Sequence, residues 1–341
     1  MLHEQDLKER IENIVDEKKL SGTVILKQND DWCLEITRGF ANRSERISNN
    51  SHTRFGIASG CKLFTAIAIC QLVEQGMISP DLHLEDCLDI EFPYFNKSVT
   101  IDHLLTHRSG IPDYFDEEVM EDFADLWKHK PMYTMDNHHS FLPFFQYEKM
   151  KFPPGERFHY NNAGYILLGL IVEAVTGTSF TNYVEHHIFE RTGMKDSGYY
   201  ALDQLPENTA IGYIDKEDGT WVTNIYSIPI KGGADGGAII SAPDMIKLWE
   251  AISDRLLLSE DMTRKLIHPY VHVNKEMYYG YGVWVIRKEK SVYKYQVMGY
   301  DPGVRFHSSY YPESNVKLVI TANNEADTLD IMKRIEILMD K

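Results

Sequence analysis

The chain has 341 residues, 43% hydrophobic and 25% charged, an ordinary balance for a globular protein with room for two packed lobes. Its 51 acidic residues against 35 basic ones leave a formal charge of -16, which argues against nucleic acid and anionic membrane as partners because both would be repelled. No run is long and apolar enough to span a bilayer as a helix, and the amino-terminal residues lack the basic start and apolar core of a secretory signal, so a soluble cytoplasmic protein without a membrane segment is expected.

In chain order, Asp6 to Leu20 carries Leu7, Ile11, Ile14 and Val15 at a helical period. Gly22 to Gln28 reads as a strand, Asn29-Asp30-Asp31 as a turn, and Trp32 to Gly39 as the hairpin partner. A helix follows from Ser59 to about Gly76. From there to about Lys231 the pattern is mostly helices and long loops: Thr100 to His107 with Thr100 as N-cap, Asn162 to Thr176 ended by Gly177, and Phe180 to Thr192. Asp244 to Ile252 is helical again. Strands are expected at Tyr281 to Arg287, Val292 to Met298, Val304 to Tyr310 and Val316 to Ala322, joined by short turns such as Asp301-Pro302-Gly303, and a last helix runs from about Asp327 to Met339. Strands at both ends of the chain and helices between them predict an α+β fold. Its antiparallel sheet is flanked by the terminal helices and carries an inserted, mostly helical lobe. The lobes divide as 1–75 with 240–341, and 76–239, with the functional cleft between them.

Ser59-Gly60-Cys61-Lys62 stands before the apolar run Leu63 to Val73. Residues three apart share a helix face, so the hydroxyl of Ser59 and the amine of Lys62 can meet beside the free N–H groups of a helix start. Those are the parts of an acyl-transfer nucleophile. The plainer reading, Ser59 as N-cap and Lys62 as a surface charge, stands equally on this stretch alone. Two other Ser-x-x-Lys matches, Ser291 to Lys294 and Ser314 to Lys317, run into predicted strands, where residues three apart point to opposite faces. A second element is Tyr160-Asn161-Asn162, after the rigid turn Pro153-Pro154-Gly155 and at the start of a predicted helix. Tyr160 alone could be a core tyrosine, and Asn162 an N-cap that is also functional.

With these residues in place the sequence resembles the serine β-lactamase and penicillin-binding-protein superfamily, on its class C β-lactamase, D-aminopeptidase and esterase side. The similarity runs through Phe55 to Lys62, His103 to Asp113, Pro154 to Gly169, Gly232 to Asp244, Tyr279 to Gly282 and the final strands. It implies the β-lactamase/transpeptidase-like fold, Ser59 as nucleophile, Lys62 as its activating amine, Tyr160 as acid and base, and Asn162 as a contact to substrate or Lys62. Lysine and tyrosine ordinarily titrate near ~10, so a base at neutral pH requires a perturbation of about 4 kcal/mol. Burial lowers a lysine and raises a tyrosine, so the two titrate as a coupled pair.

The family's third motif, Lys-Thr-Gly or His-x-Gly, is where this chain departs. Anchoring on Asp301-Pro302-Gly303 puts Val297-Met298-Gly299 there, with Val297 in place of the cation or imidazole. Gly299 is kept, so a backbone can approach substrate, and the N–H of Tyr300 can pair with that of Ser59 as an oxyanion hole. Arg305 on the next strand is a substitute cation or simply a solvated strand residue. Lys231-Gly232-Gly233 is treated as a decoy, and Asp235 as a weak substrate contact. The expected function is a serine hydrolase acting through an acyl-enzyme on small esters, amides or peptides, an esterase, D-peptidase or weak β-lactamase. A β-lactam is a further acylating ligand. The alternative, motivated by Val297, is a penicillin-binding or ligand-sensing module with little turnover.

No cofactor and no metal is expected. His103 and His107 lie four apart, but no Glu follows His103 and no third ligand is placed. His138-His139 and His186-His187 are adjacent and do not converge. Cys33, Cys61, Cys70 and Cys87 have no ligand spacing and read as buried free thiols. The aromatic segment from Tyr114 to Tyr147 either lines the cleft or fills the helical core. Oligomeric state is not encoded in any feature of the chain.

Overall fold

The strand Gly22–Gln28 carries the consecutive apolar residues Val24, Ile25 and Leu26 because its two faces pack into two different cores. In the computed structural model, which describes residues 4–29, 32–128 and 130–339, Ile25 faces one core while Val24 and Leu26 face the other. Val316–Ala322 divides in the same way, with Val319 on one side and Leu318 and Ile320 on the other. These two strands pair antiparallel from Gly22 opposite Ala322 to Gln28 opposite Val316, and are the second and third strands from one edge of an eight-stranded sheet. The order across the sheet is Trp32–Arg38, Gly22–Gln28, Val316–Ala322, Val304–Tyr311, Ser291–Asp301, Trp284–Lys288, Met277–Tyr279 and Val271–Asn274. Every neighbouring pair is antiparallel.

Helices Glu4–Glu17 and Thr328–Met339 cover one face, where Ile11, Ile14 and Val15 meet Ile331, Met332 and Ile335. The other face carries Ala242–Ser253 and, beyond it, the helix Lys62–Glu74. The latter is buried almost all round, as its lack of a polar face requires. It packs on Asn162–Thr176, the main helix of the segment between them. The remainder of 76–239 is short helices, turns and one small strand pair, Tyr213–Asp215 with Trp221–Thr223.

The α+β expectation holds, and several local expectations do not. The helix assigned to Ser59 onward begins at Lys62; Ala58–Cys61 is a 3₁₀ turn, and no side-chain cap closes either start. Ser59 is therefore not an N-cap. Asn162 is the first helical residue, and the cap is its neighbour Asn161, whose Oδ1 accepts from Gly164 N at 2.7 Å. Thr100 does cap Ile101–Leu105, reciprocally with His103. Phe180 to Thr192 is helical throughout but passes through a π turn at Glu185–Phe189. The strand expected from Tyr281 starts at Trp284, after Gly282 takes a φ of +68°. Helix Glu260–Leu266 and the strands Val271–Asn274 and Met277–Tyr279 are additional. Cys61 and Cys70 are buried, whereas Cys33 is exposed and Cys87 half-buried. Asp30 and Asp31 of the expected hairpin turn, and Met1 to His3 of the amino terminus, lie outside the described residues. Among the described residues no single helix is long and apolar enough to cross a membrane.

Candidate active site

Ser59 is presented by a turn clamped from two sides. Ile57 N donates to Ala238 O at 3.0 Å and Gly237 N donates to Ala58 O at 3.2 Å, so the glycine-rich segment 232–237 holds the turn from above. Ala58 adopts a φ of +45°, a left-handed conformation that an alanine keeps only where its surroundings impose it. On the other side stands Gly299. A Cβ there would lie 2.1 Å from Ile57 O and 2.8 Å from Ser59 N, so only glycine lets the strand Ser291–Asp301 approach this closely. The strand then turns through Pro302-Gly303, with Gly303 at φ +69°, which sets Tyr300 opposite Arg305.

Lys62 lies one helical turn from Ser59 and is almost wholly buried, at 1% exposure. Its Nζ donates to Ser59 Oγ at 3.0 Å, to Asn162 Oδ1 at 2.8 Å and to the backbone oxygen of Asp235 at 2.6 Å. Three acceptors match the three protons of an ammonium, so its desolvation is offset by a full set of hydrogen bonds. Asn162 is held in turn by Asp113. That carboxylate accepts from Asn162 N at 2.7 Å and Ala163 N at 2.9 Å, at the positive end of the helix. Burial nevertheless raises the Asp113 carboxyl to about 7, against those hydrogen bonds.

Tyr160 sits with its ring centroid 4.9 Å from Lys62 Nζ. Burial pushes its phenol well above the ordinary tyrosine value; Glu117 adds to this, and a hydrogen bond with Ser59 acts the other way. Behind it the rings of His107 and Trp284 lie 4.4 and 6.2 Å from the Tyr160 ring, fixing its plane. His107 accepts from Asn161 N on Nδ1 at 3.1 Å and meets the Tyr279 hydroxyl through Nε2 at 3.1 Å. Burial holds His107 well below the usual histidine value, which keeps it neutral. His103 is occupied in its helix cap, so the histidines four apart share no ligand position.

A cavity of about 220 Å³ opens on Ser59. Ser59, Asn162 and Tyr300 all line it, together with Asp235, Asp301 and an apolar wall that includes Phe115 and Phe141. The aromatic segment is thus divided: Tyr114, Phe115 and Phe141 face the cavity, Trp127 and Phe145 are core, and Tyr133 and Tyr147 are exposed. Arg305 is not brought to the site. Its guanidinium donates to Asp301 O at 2.7 Å and Val304 O at 2.9 Å, reaches Glu325, and does not line the cavity. Val297 is buried in the core, at 2% exposure. Lys231-Gly232-Gly233, set aside as a match to the third motif, lies off the strand that carries Gly299; the segment it opens supplies the Asp235 oxygen to Lys62 and lines the cavity. Asp113 and Asp301 were not singled out as site residues by sequence, and His107 was weighed only as a metal ligand paired with His103. Asp113 closes the matched stretch that begins at His103, the one signal that pointed toward it.

The comparisons with known proteins give the family and the fold. The family model described as Beta-lactamase matches residues 7–336. Penicillin-binding protein 4* of Bacillus subtilis (strain 168) is 28% identical over 336 residues, covering 93% of this chain and 71% of that protein. The crystal structure of a penicillin binding protein from Bacillus halodurans superimposes with a TM-score of 0.93 at 57% identity, covering 96% of this chain and 99% of that one. A D-amino acid amidase from Ochrobactrum anthropi SV3 shares the fold, with a TM-score of 0.81 at 21% identity over 98% of this chain and 99% of its own. The chain belongs to the beta-lactamase family, and is a serine hydrolase of the β-lactamase and penicillin-binding-protein kind.

Proposed function

We propose that this hydrolase works through an acyl-enzyme on Ser59, in the cleft between the sheet-bearing lobe (1–75 with 240–341) and the inserted lobe (76–239). The observation that carries the reading is the three-acceptor seat of Lys62, which aims one proton of a buried ammonium at Ser59 Oγ at 3.0 Å. With a lone pair of Oγ so engaged, the hydroxyl proton is directed to Tyr160. Ser59 Oγ attacks the substrate carbonyl carbon, its proton passes to the Tyr160 oxygen, and Tyr160 delivers a proton to the departing amine or alkoxide. The Oγ–acyl bond forms as the bond to the leaving group breaks. Water then attacks the acyl group, Tyr160 takes its proton, and Ser59 recovers one. The N–H groups of Ser59 and Tyr300 are the proposed oxyanion donors, supported by the approach of Gly299 to Ser59 N. Asn162 orients Lys62 and borders the substrate.

Small esters, amides and peptides are the proposed substrates, with a β-lactam as an acylating ligand. Burial of Val297 in place of a cation supports weak β-lactam hydrolysis and also favours the second reading, a module that acylates with little turnover. A fluorophosphonate probe followed by intact-mass measurement tests the nucleophile. One adduct on wild type and none on Ser59→Ala is expected; no wild-type adduct, or an equal one on the variant, overturns it. An acylation burst without steady-state turnover would select the second reading.

A further inference from the structure

Of the adjacent pair His138-His139 only the first turns inward: His138 is 4% exposed, while His139 is exposed. His138 does not line the cavity. Its imidazole bridges two elements instead. Nδ1 lies 3.2 Å from Oε1 of Glu173 on the helix Asn162–Thr176, and Nε2 lies 2.9 Å from Ala234 N in the glycine-rich segment 232–237. A backbone N–H only donates, so Nε2 offers its lone pair to Ala234 and Nδ1 carries the proton that Glu173 accepts. Burial works to raise the Glu173 carboxyl, but its hydrogen bonds from His138 and from Phe180 N hold it below the usual value. Two glycines make room for the ring: a Cβ on Gly233 would lie 2.8 Å from Nε2, and one on Gly169 would lie 2.7 Å from it.

The amide that His138 grips leads to Lys62. The next peptide along is fixed through Ala234 O, which accepts from Thr65 Oγ1 at 2.5 Å, and the one after presents Asp235 O to Lys62 Nζ at 2.6 Å. Gly233 N donates to Gly236 O at 2.8 Å and closes the loop, whose Gly237 N holds the Ser59 turn. Tyr114 fixes only the side chain of Asp235. Among the described residues His138 is the one side chain seated on a backbone N–H of this segment. Taking Ser59 and Lys62 as the acylating pair, we infer that His138, oriented by Glu173, is a positioning residue: it fixes the Ala234 amide so that Asp235 O meets Lys62 and the ammonium stays aimed at Ser59. The helix Asn162–Thr176 then sets two of the three Lys62 acceptors, Asn162 directly from its first residue and Asp235 O through Glu173 and His138 from its last turn.

Two substitutions separate the ring nitrogens. A glutamine amide reaches the place of Nε2, so His138→Gln keeps an acceptor for Ala234 N. An asparagine amide reaches only the place of Nδ1, so His138→Asn keeps the donor to Glu173 and leaves Ala234 without its acceptor. His138→Gln should react with a fluorophosphonate and hydrolyse a p-nitrophenyl ester within about threefold of wild type, while His138→Asn should lose about tenfold or more in both rates. Amide hydrogen exchange at Ala234 should stay slow in wild type and His138→Gln, and quicken in His138→Asn. Glu173→Ala removes the partner that orients the ring; its rates should fall between the other two, and it serves in place of His138→Asn if that protein does not fold. Equal rates in the two His138 variants, wild-type rates in Glu173→Ala, or unchanged Ala234 exchange in His138→Asn would each overturn the inference. Wild-type labelling that is lost in Ser59→Ala but shows no split between the variants sinks this inference alone. No labelling of wild type sinks the nucleophile, and the positioning role with it.

Discussion

Gly299→Ala is the sharpest perturbation that the structure offers. The added methyl meets Ile57 O at 2.1 Å, Ser59 N at 2.8 Å and Gly60 N at 2.9 Å, all backbone atoms that cannot rotate away. The strand and the Ser59 turn must separate by about 1 Å, a displacement that costs about 100-fold in rate when it misaligns reacting groups. Forcing a carbon into a packed contact costs about 1–3 kcal/mol of stability. Gly76→Ala is the control: it forces an alanine to a positive φ, at +72°, which Gly299→Ala does not, but its methyl meets nothing within 4 Å. That variant should lose about 1 kcal/mol of stability and keep its rate. Steady-state kcat/KM on a p-nitrophenyl ester and urea unfolding of both proteins decide the matter. A Gly299→Ala protein within threefold of wild-type kcat/KM would refute the view that this contact sets the Ser59 geometry.

Tyr160→Phe should slow acylation by about 10²–10⁴ and leave the urea midpoint unchanged or higher, because a buried phenol is removed; stopped-flow acylation rates equal to wild type would remove Tyr160 from proton transfer. Asp113→Ala frees the N–H groups of Asn162 and Ala163, and should cost about 1–2 kcal/mol at the helix start while lowering kcat/KM through Asn162 and Lys62; an unchanged kcat/KM contradicts that chain of contacts. Stability should also depend on pH through Asp301. The unfolded chain gives up this proton near pH ~4 and the native chain near about 7. The native state therefore binds more protons between these values, and stability falls as pH rises through the window. The fall in urea midpoint from pH 5 to 8 should be smaller in Asp301→Asn than in wild type, and an equal fall counts against the buried carboxyl.

Long elements with a single dominant signal were legible in the sequence. The paired strands at both ends of the chain and the helix Asn162–Thr176 follow from apolar runs and a glycine stop, and Ser59 and Lys62 do meet as helix phase predicts. Val271–Asn274 and Met277–Tyr279 escaped because strands of four and three residues carry too little alternation to stand out. Asn161 and Asn162 are equally good caps on paper, and only the reach of Lys62 assigns them different tasks. The 3₁₀ turn at Ser59 has no local cause: hydrogen bonds from residues 237 and 238 impose it. Arg305 stayed open between a substitute cation and a strand residue for a related reason, since strand position alone does not reveal that nearby carbonyls engage its guanidinium.

The pairing of Gly22–Gln28 with Val316–Ala322 also dictates how the protein reaches its native state. Two-stranded ribbons are marginal in water, so the hairpin begun by Gly22–Gln28 cannot stand alone and must wait during synthesis for Val316–Ala322, far later in the chain. Loop closure over such a separation is slow to nucleate. The turn bearing Ser59 rests on Gly299 from the late half of the chain, so a nascent polypeptide lacking that half has no assembled nucleophile. Reactivity toward acyl donors is thereby withheld until the last strands are in place.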